Sequence, residues 1–586
     1  MLSLGLSLLA LTILIIGSAL WSRQLYTSIE AYRSPLREAK LFPQTPQSQA
    51  ITSKVVVVMI SGLGYEAAQT LNLPVLDQLR QAGATAAIQS APPTYSQTAW
   101  ATLISGAAAE INDAPPVDLP LTRLHELEID TIFGRAHAAN LPTSLLGPAE
   151  WRRLLPNDQI TYPFFVDQPG AESDAAIMEA ALPILANSDI KLTWIHFSQV
   201  DVAGQSQGAA SEAYAQAVTQ VDNYLGQISQ ALDLHQAVLV ILADHGHAPD
   251  GGHGGDEAEV VRQPLAAIGQ GIVPGRYSDV HQTSIAPTLA TLLGLAPPTA
   301  TQGRILFEIL RLTERERAMA QLTLAQQHVL LAQAYLAAFT NPPTQVPEAI
   351  ATNLARAQTN FIANNINGAF QLAQLTQQEM DHYLQTTRTG WIRIEQGLRL
   401  AVTGVIILVW LVTLWRRRGL HAGSILIAAI FTVGLYHSLY QLQGHRYSVS
   451  ALRDFSEWPL DITRRTAVTL LAGGGLMLIF MMMAREGNWL TLLGTGYGFG
   501  VLVTFIFTLP LAWSFWQNGF ILRWYLPAIL SAFWQVTGLL EVMIAAILSL
   551  LLPWPLMGLN MFVIWMRRRL DESRARKSDA LPGLHL

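Results

Sequence analysis

The stretch that most constrains the fold is residues 238–257, VLVILADHGHAPDGGHGGDE. Its first six residues form an unbroken apolar run, which is typical of a strand buried on both faces of a parallel sheet. Asp244 and His245 follow the run, and His247 and His253 lie in the glycine-rich loop after them. Ligands in open α/β sheets bind outside the carboxyl ends of strands, and carboxylate and imidazole suit a divalent ion such as zinc. The stretch therefore predicts a metal site, and an ordinary histidine-rich surface loop is the alternative.

The overall composition indicates that part of the chain lies in lipid. Hydrophobic residues make up 51% of the 586 residues and charged residues 13%, against ~25% charged residues in typical soluble domains. A chain of this length exceeds one hydrophobic core, so several structural units are expected. The net charge of −6 gives no indication of a nucleic-acid partner, and the absence of cysteine excludes disulfides and thiolate metal sites.

Two further segments carry polar groups at the ends of predicted elements. Residues 54–60, KVVVVMI, predict a buried strand that ends at Ser61 in a glycine-containing loop. Residues 91–106, APPTYSQTAWATLISG, place the hydroxyl of Ser96 at the start of a helix that covers 99–104. A hydroxyl at a helix N-terminus lies beside unpaired N–H groups, which favour a phosphate there. An ordinary helix cap without chemistry is the alternative for this segment.

Five segments, in this order along the chain, resemble the alkaline phosphatase superfamily, in particular its type I phosphodiesterase/nucleotide pyrophosphatase branch. They are SGL at 61–63, PTYSQTAWATLISG at 93–106, DVAGQSQG at 201–208, DHGH with GGHGG at 244–255, and QTSIAPTLATLLGL at 282–295. The resemblance covers residues 54–309. It implies an α/β fold, an alkaline-phosphatase-like and mostly parallel sheet sandwiched by helices, and an enzyme that acts on phosphoric esters.

The same resemblance implies a site with one nucleophile and two metal ions. Ser96 stands at the position of the family's nucleophilic Thr or Ser. Asp244 and His245 stand at a ligand pair of the ion that activates the nucleophile, and Asp201 and His253 stand at ligands of the second ion. In the family's scheme, one ion lowers the pKa of the hydroxyl and both hold phosphate oxygens.

Two positions depart from the family pattern. Ser61 stands where the family has an aspartate before Gly-Leu, and Gln205 stands where it has the histidine of its D-x-x-G-H motif. A neutral serine or glutamine oxygen supplies no charge and binds zinc weakly, so each metal site loses one ligand. Asp256, Glu257, His247 or water could fill a gap, and the sequence leaves this open.

Composition divides the chain into six segments. The apolar, uncharged N-terminus is long enough to span a bilayer and is interpreted as a retained anchor in preference to a removed signal peptide. The Ala/Gln/Leu-rich stretch after the α/β domain predicts two helices in a hairpin. The predicted segments are a transmembrane anchor at 1–21, a tether at 22–53, the alkaline-phosphatase-like domain at 54–311, a helical spacer at 312–397, a transmembrane bundle of about five helices at 398–566 and a cytoplasmic tail at 567–586.

The bundle is predicted from hydropathy. Arg416–Arg418 and Arg567–Arg569 are interpreted as cytoplasmic flanks, which places the phosphatase-like domain outside the cytoplasm. The loop with Arg464 and Arg465 favours the opposite orientation. Glu541, inside an apolar run, is either a functional residue or a side chain facing the bundle interior. The candidate spans are 398–415, 424–442, 467–483, 490–513 and 526–552, with one crossing chosen after Leu526.

We therefore expect an integral protein of the cytoplasmic membrane with an extracytoplasmic phosphodiesterase or phosphotransferase domain that acts through Ser96. One or two divalent ions, zinc in the first place, are expected as cofactors. The substrate is a phosphate ester, and the bundle suggests a lipid-linked one, since GPI ethanolamine-phosphate transferases resemble this layout. The alternative is a catalytically degenerate, phosphatase-like membrane protein with a binding or structural role.

Overall fold

The protein combines a mixed, mostly parallel sheet in its N-terminal half with long helices in its C-terminal half. The computed structural model describes residues 2–39, 41, 49–339, 345–416, 422–444, 447–451, 458–483, 489–523, 525 and 529–579. The strands are β1 Lys54–Ile60, β2 Ala84–Gln89, β3 Thr143–Pro148, β4 Tyr162–Val166, β5 Leu192–Phe197, β6 Ala237–Leu242, β7 Arg262–Gly269, β8 Gly275–Arg276 and β9 Val280–His281.

The sheet is parallel across its centre. The strand order is β4-β3-β5-β1-β6-β7-β2-β8, with β9 beside β2. The five consecutive strands from β4 to β6 in this order are parallel to one another. Strand β7 runs antiparallel to both of its neighbours, β6 and β2. The predicted fold class is therefore confirmed, although β6 has one antiparallel neighbour and is not enclosed by parallel strands on both sides.

Strand β1 shows why the centre of the sheet is apolar throughout. Val55, Val57 and Met59 face one hydrophobic core, and the alternate residues Val56 and Val58 face the other. Both neighbouring strands, β5 and β6, are buried along their whole length. The carboxyl ends of these three parallel strands consequently meet at one edge of the sheet, where their polar loops come together.

Helices cover both faces of the sheet and continue into the C-terminal half. Those of the N-terminal half are α1 Leu2–Glu30, α2 Tyr65–Thr70, α3 Pro74–Ala82, α4 Ser96–Ser105, α5 Ile132–Ala138, α6 Trp151–Leu154, α7 Ala171–Ala186, α8 Gln199–Gln207, α9 Glu212–Ala231, α10 Ala258–Val261 and α11 Ile285–Leu292. Those that follow are α12 Glu314–Phe339, α13 Glu348–Ile362, α14 Ile366–Arg416, α15 Ala422–Leu442, α16 Trp458–Met483, α17 Trp489–Asn518, α18 Ile529–Leu551 and α19 Pro553–Asp579.

Sequence patterning located two central strands, whereas two other strands gave no signal. The apolar runs predicted at 54–60 and 238–243 coincide with β1 and β6 to within one residue at each end. Strand β2, ATAAIQ, is rich in alanine, a helix-favouring residue, and so gave no strand signal. Strand β4, YPFFV, is an edge strand with exposed residues and a proline, which also weakens the pattern.

The first part of the predicted tether at 22–53 is helical, and the segment contacts the sheet domain. Helix α1 runs to Glu30, and its Leu25 and Ile29 are fully buried. Beyond the helix, the Arg33 guanidinium pairs with Asp113 at 2.7 Å, and the Tyr32 hydroxyl donates to the Glu110 carbonyl at 3.1 Å. These contacts fix the chain against the sheet domain, which a polar composition alone did not reveal.

The helical spacer also differs from its prediction. It contains three helices, α12, α13 and α14, because the segment expected to be one helix of a hairpin is divided between α13 and α14. Helix α14 is continuous over 51 residues and crosses the predicted boundary at 397/398. The spacer and the start of the bundle are therefore joined by one uninterrupted helix.

Five helices among the described residues are long and apolar enough to cross a membrane. They are Leu4–Glu30, Gly423–Leu442, Trp458–Met483, Trp489–Asn518 and Leu530–Leu551. The interior position considered for Glu541 is observed, since it accepts a hydrogen bond from the Tyr436 hydroxyl at 2.7 Å. Arg465, predicted in a loop, lies inside α16 and pairs with Asp461 at 2.9 Å.

Some predicted features lie outside the described residues, and the orientation of the bundle stays a prediction. The predictions concerned are those on residues 1, 40, 42–48 and 580–586 of the anchor, tether and tail, and on Arg417, Arg418 and Leu526.

The start of α8, which carries Asp201, is held by a buried carboxylate on α7. Asp174 accepts hydrogen bonds from the Ser198 N–H, the Ser198 hydroxyl and the Gln199 N–H at 2.9–3.1 Å. Asp174 is fully buried, and this burial raises its pKa from 3.8 to about 6. The carboxylate thus connects α7 to the helix that brings Asp201 to the sheet edge.

Titration of Asp174 predicts a defined pH dependence of stability. A carboxyl whose pKa is raised on folding contributes stability that is full below its unfolded pKa and lost as pH rises through its folded pKa, here about 6. The stability of the parent relative to Asp174→Asn should therefore fall by up to about 3 kcal/mol between pH 4 and pH 7.5. Thermal unfolding of the full chain in detergent measures this, with Asp189→Asn, an exposed carboxylate, as control. A parent-to-variant difference that does not change with pH would contradict it.

Candidate metal and nucleophile site

Ser96 begins helix α4 and contacts an imidazole. Tyr95 caps the helix with an extended backbone, and Ser96 follows as its first residue. The Ser96 Oγ atom lies 3.1 Å from Nε2 of His245, within the hydrogen-bond reach expected of a nucleophile and an activating group. Sequence analysis placed both residues at the site, and the structure brings them together.

The sequence suggested that N–H groups in the first turn of α4 are unpaired and could bind a phosphate. In the structure, two of them bond to a carboxylate instead. The Gln97 N–H donates to the Asp118 carboxylate at 3.1 Å, and the Ser96 N–H also bonds to this carboxylate. Asp118 therefore places negative charge at the helix N-terminus. It follows an irregular stretch far from the predicted motifs, and no sequence signal identified it.

Asp244 is fully buried and accepts four hydrogen bonds. Its donors are the Ser61 hydroxyl at 2.8 Å, the Gly62 N–H at 3.1 Å, the Trp100 indole N–H at 2.7 Å and the His245 N–H at 2.9 Å. Burial acts to raise the pKa of this carboxyl, but the neighbouring His245 and the hydrogen bonds outweigh it and hold the pKa below its usual range. Four donors match the about four lone-pair sites of a carboxylate. Ser61, the substituted position, is thus a hydrogen-bond donor to Asp244.

Asp201, His245 and His253 form a cluster that could hold a metal ion. Their ligand atoms all lie within 4.8 Å of one another. Asp201 Oδ1 is 3.8 Å from Nε2 of His245 and 3.9 Å from Nε2 of His253, and the two imidazole rings stack with centroids 4.0 Å apart. One carboxylate and two imidazoles are a donor set that fits zinc with a fourth position open.

The protonation states of the cluster also suit a cation. Burial lowers the pKa of His245 to about 4, so its imidazole is neutral at pH 7. Desolvation acts to raise the pKa of Asp201, but the hydrogen bond and charge of His247 outweigh it and hold the pKa below its usual range. Metal ligands must be neutral imidazoles and ionised carboxylates, and these two residues meet that requirement.

Among the candidate replacement ligands, His247 contacts the cluster. Its Nε2 lies 2.9 Å from Oδ1 of Asp201, while its Nδ1 is buried without a hydrogen-bond partner among the described residues. The ring occupies a space left by two glycines, since a Cβ would lie 2.2 Å from it at Gly204 and 2.8 Å at Gly62. Gln205 lies on α8, one turn after Asp201.

The other replacement candidates point elsewhere. Asp256 is exposed, and Glu257 bonds to Ser448 and Ser450.

Two supporting residues were missed by sequence reasoning. Trp100 lies four residues after Ser96, one helical turn along α4, so helical spacing could have identified it as a partner of the site. Gln282 donates from its side-chain amide to the Asp244 carbonyl at 2.8 Å. His196 in β5 is fully buried beside Trp151, whose indole N–H donates to it at 2.9 Å.

Comparisons with known proteins agree with the predicted resemblance. Residues 136–296 match the model of the Metalloenzyme superfamily. The chain is 27% identical over 278 residues to human GPI ethanolamine phosphate transferase 2, catalytic subunit, covering 44% of this chain and 28% of that protein. It is 25% identical over 286 residues to the mouse GPI ethanolamine phosphate transferase 3, catalytic subunit, covering 44% and 26%. The chain thus spans little more than a quarter of the length of these curated relatives.

Two solved structures that match part of the chain are further comparisons. Murine ectonucleotide pyrophosphatase/phosphodiesterase 5 is 14% identical, with 42% of this chain and 96% of that chain covered and a TM-score of 0.35. The alkaline phosphatase PafA is 9% identical, with 45% and 100% covered and a TM-score of 0.38. The family match lies within the sheet domain, and it agrees with the predicted resemblance to the alkaline phosphatase superfamily.

Replacing Ser61 by the family's aspartate tests the metal site. The new carboxylate would lie against Oδ2 of Asp244, so that without an ion the two charges repel and lower stability by about 1–3 kcal/mol. A bound cation would offset the repulsion. Measured as a difference from the parent under the same conditions, the thermal midpoint of Ser61→Asp should therefore be lower in chelator, and this difference should shrink in excess zinc. The difference between Ser61→Asn, which adds no charge, and the parent should be the same in chelator and in zinc. An equal midpoint for Ser61→Asp in chelator and in zinc would contradict the expectation.

Proposed function

We propose that this chain, whose sheet domain belongs to the alkaline-phosphatase-like metalloenzymes, is a membrane-anchored enzyme that transfers a phosphoric ester group through Ser96. The observation that carries the proposal is the 3.1 Å contact between the Ser96 Oγ atom and Nε2 of His245, at the start of α4. The Asp201 carboxylate and the His253 imidazole lie beside this pair. The curated relatives, named as ethanolamine phosphate transferases, support the reaction class.

Ser96 would act as the nucleophile. The Ser96 hydroxyl loses its proton to solvent, and its Oγ forms a bond to phosphorus. The bond from phosphorus to the leaving oxygen breaks, this oxygen takes up a proton from solvent and departs as an alcohol, and a phosphoseryl ester remains. Water or an acceptor hydroxyl then loses its proton and attacks the same phosphorus, the bond from phosphorus to Oγ breaks, and Oγ regains a proton, which gives hydrolysis or transfer respectively. His245 is neutral at pH 7, because burial lowers its pKa to about 4. Its Nε2 is therefore available to the Ser96 hydroxyl or to an ion.

Asp201, His245 and His253 would hold one divalent ion, for which zinc is our first candidate. Such an ion lowers the pKa of a bound hydroxyl and stabilises charge on phosphate oxygens. A second ion at Asp244 finds less support, because the four donors already occupy that carboxylate. We assign Asp244 the role of holding the end of β1, the helix α4 and His245 in register.

The proposed substrate is a lipid-linked phosphate ester. Tyr95, the residue before Ser96, packs on Phe533 of α18 with ring centroids 6.1 Å apart. The nucleophile therefore lies close to helices that are apolar enough for a membrane. We further propose that the protein resides in the cytoplasmic membrane with the site on its outer side, because Arg567–Arg569 form a basic flank of the kind found on the cytoplasmic side.

A non-catalytic binding role is the second candidate. It is favoured by the neutral residues Ser61 and Gln205 at two ligand positions. The Asp118 carboxyl group at the N-terminus of α4 also favours it, since it occupies the Gln97 N–H that a phosphate would otherwise bind. In this alternative the same cluster binds a ligand or ion without chemistry.

Substitution of Ser96 separates the two candidates. Ser96→Ala in the full chain, purified in detergent with zinc, should lower the rate of aryl phosphodiester cleavage at least about a hundredfold, since the nucleophile is lost. Ser206→Ala is the matched control, because its exposed hydroxyl bonds only to its own helix. Adding an acceptor alcohol distinguishes transfer from hydrolysis. Equal rates for Ser96→Ala and the parent would refute the enzymatic proposal and leave the binding role.

A further inference from the structure

We propose that the membrane bundle completes the metal-binding loop of the sheet domain. The segment responsible is 447–451, between α15 and α16, which we call the bundle loop. Its Ser448 and Ser450 act as positioning residues for His253. The inference rests on the proposed function only in that His253 holds a metal ion.

The bundle loop contacts the glycine-rich loop directly. The Gly255 N–H donates to the Ser450 hydroxyl at 3.0 Å, and the Ser450 hydroxyl donates to the Glu257 carboxylate at 2.8 Å. The Ser448 hydroxyl donates to the other oxygen of Glu257, and the Ser450 N–H donates to the Ser448 hydroxyl at 3.1 Å. Both serines are buried. Glu257 and the two serines therefore form a closed network around the backbone at Gly255.

The glycine-rich loop and the bundle loop approach each other closely at Gly255. A Cβ built at Gly255 would lie 2.3 Å from Oε2 of Glu257, 2.7 Å from Oγ of Ser450 and 2.8 Å from Oγ of Ser448. A side chain at this position would therefore displace the three side chains of the network. The backbone at Gly255 is not in the left-handed region.

The glycine-rich loop is held from the opposite side by Thr94. His253 Nδ1 bonds to the Thr94 carbonyl at 3.0 Å, and the Thr94 hydroxyl accepts from the Gly254 N–H and donates to the Gly255 carbonyl, both at 3.0 Å. Using Nδ1 in this way leaves Nε2 of His253 directed to Asp201. Residues 253–255 are thus clamped between the segment that carries the nucleophile and the bundle loop.

The bundle loop is itself anchored among the helices. The Tyr447 hydroxyl bonds to Nδ1 of His437 on α15 at 2.8 Å, and its ring packs on Tyr440 and Trp534 at 4.6 Å and 5.7 Å. Next to Trp534, Phe533 packs on Tyr95. Tyr95 in turn contacts His253 edge-on at 5.7 Å. The bundle therefore reaches the surroundings of His253 by two routes.

External support has a physical consequence because the loop is rich in glycine. Gly251, Gly252 and Gly254 all have positive φ angles, and glycine loses more conformational freedom on ordering than any other residue. A loop that must be ordered when the ion binds has a lower apparent affinity than one ordered beforehand. The bundle loop orders it beforehand, so metal affinity should depend on Ser450.

Metal binding and hydrogen exchange test this inference in the full chain. Ser450→Ala in lipid nanodiscs should raise the dissociation constant for zinc about five- to tenfold, because a hydrogen bond to the loop is lost. In metal-free protein it should speed amide exchange in the peptide covering 250–257. Ser450→Thr, which keeps the hydroxyl, should restore both values. Ser438→Ala is the control, since this exposed serine of α15 bonds only to its own helix.

The outcomes separate this inference from the proposed function. Parent-like zinc affinity and exchange in Ser450→Ala would overturn it, whatever the activity of the enzyme. If Ser450→Ala fails to fold, Glu257→Gln, which keeps the shape but weakens the acceptor, should shift both measurements in the same direction. Parent-like activity in Ser96→Ala combined with a Ser450-dependent zinc affinity would remove the enzymatic proposal and leave the positioning role in place.

Discussion

A single buried carboxylate, that of Asp244, fixes the relative positions of three segments that are distant in the sequence. It bonds to Ser61 at the end of β1, to Trp100 on α4 and to the His245 N–H after β6. An ionised group without solvent is tolerated only when its hydrogen-bonding capacity is filled. Because each donor belongs to a different segment, satisfying this carboxylate also sets the distance between Ser96 and His245.

The parts of the site predicted from the sequence are those that depend on strand ends. The apolar runs of β1 and β6 gave a local signal for strands. The parallel pairing of β1 with β5 and β6 then brings Ser61, Asp201 and Asp244 to one edge of the sheet, independently of the conformation of the loops. The same reasoning could not find Asp118, which reaches α4 from an irregular stretch. Strand β2 was missed because its alanines carry no local preference for a strand, and its place is fixed by antiparallel pairing with β7.

The two positions that depart from the family pattern lie beside residues that already have partners. Ser61 is uncharged, and its hydroxyl fills a lone pair of Asp244. Near Gln205, the His247 ring occupies the space beside Gly62 and Gly204 and bonds to Asp201. The carboxylate of Asp201 therefore lies among three imidazoles, whereas that of Asp244 is surrounded by hydrogen-bond donors. This difference is the physical basis for proposing one ion instead of two.

The helical bundle contributes more than attachment to a membrane. An anchor needs only a flexible connection, whereas here the residues that follow α1, Tyr32 and Arg33, bond to the sheet domain. Ser450 accepts a hydrogen bond from the Gly255 N–H of the glycine-rich loop at 3.0 Å. Close packing of this kind transmits displacement because neither partner can move independently. A lipid environment that shifts the bundle would therefore also shift His253, which makes the geometry of the site a property of the whole chain.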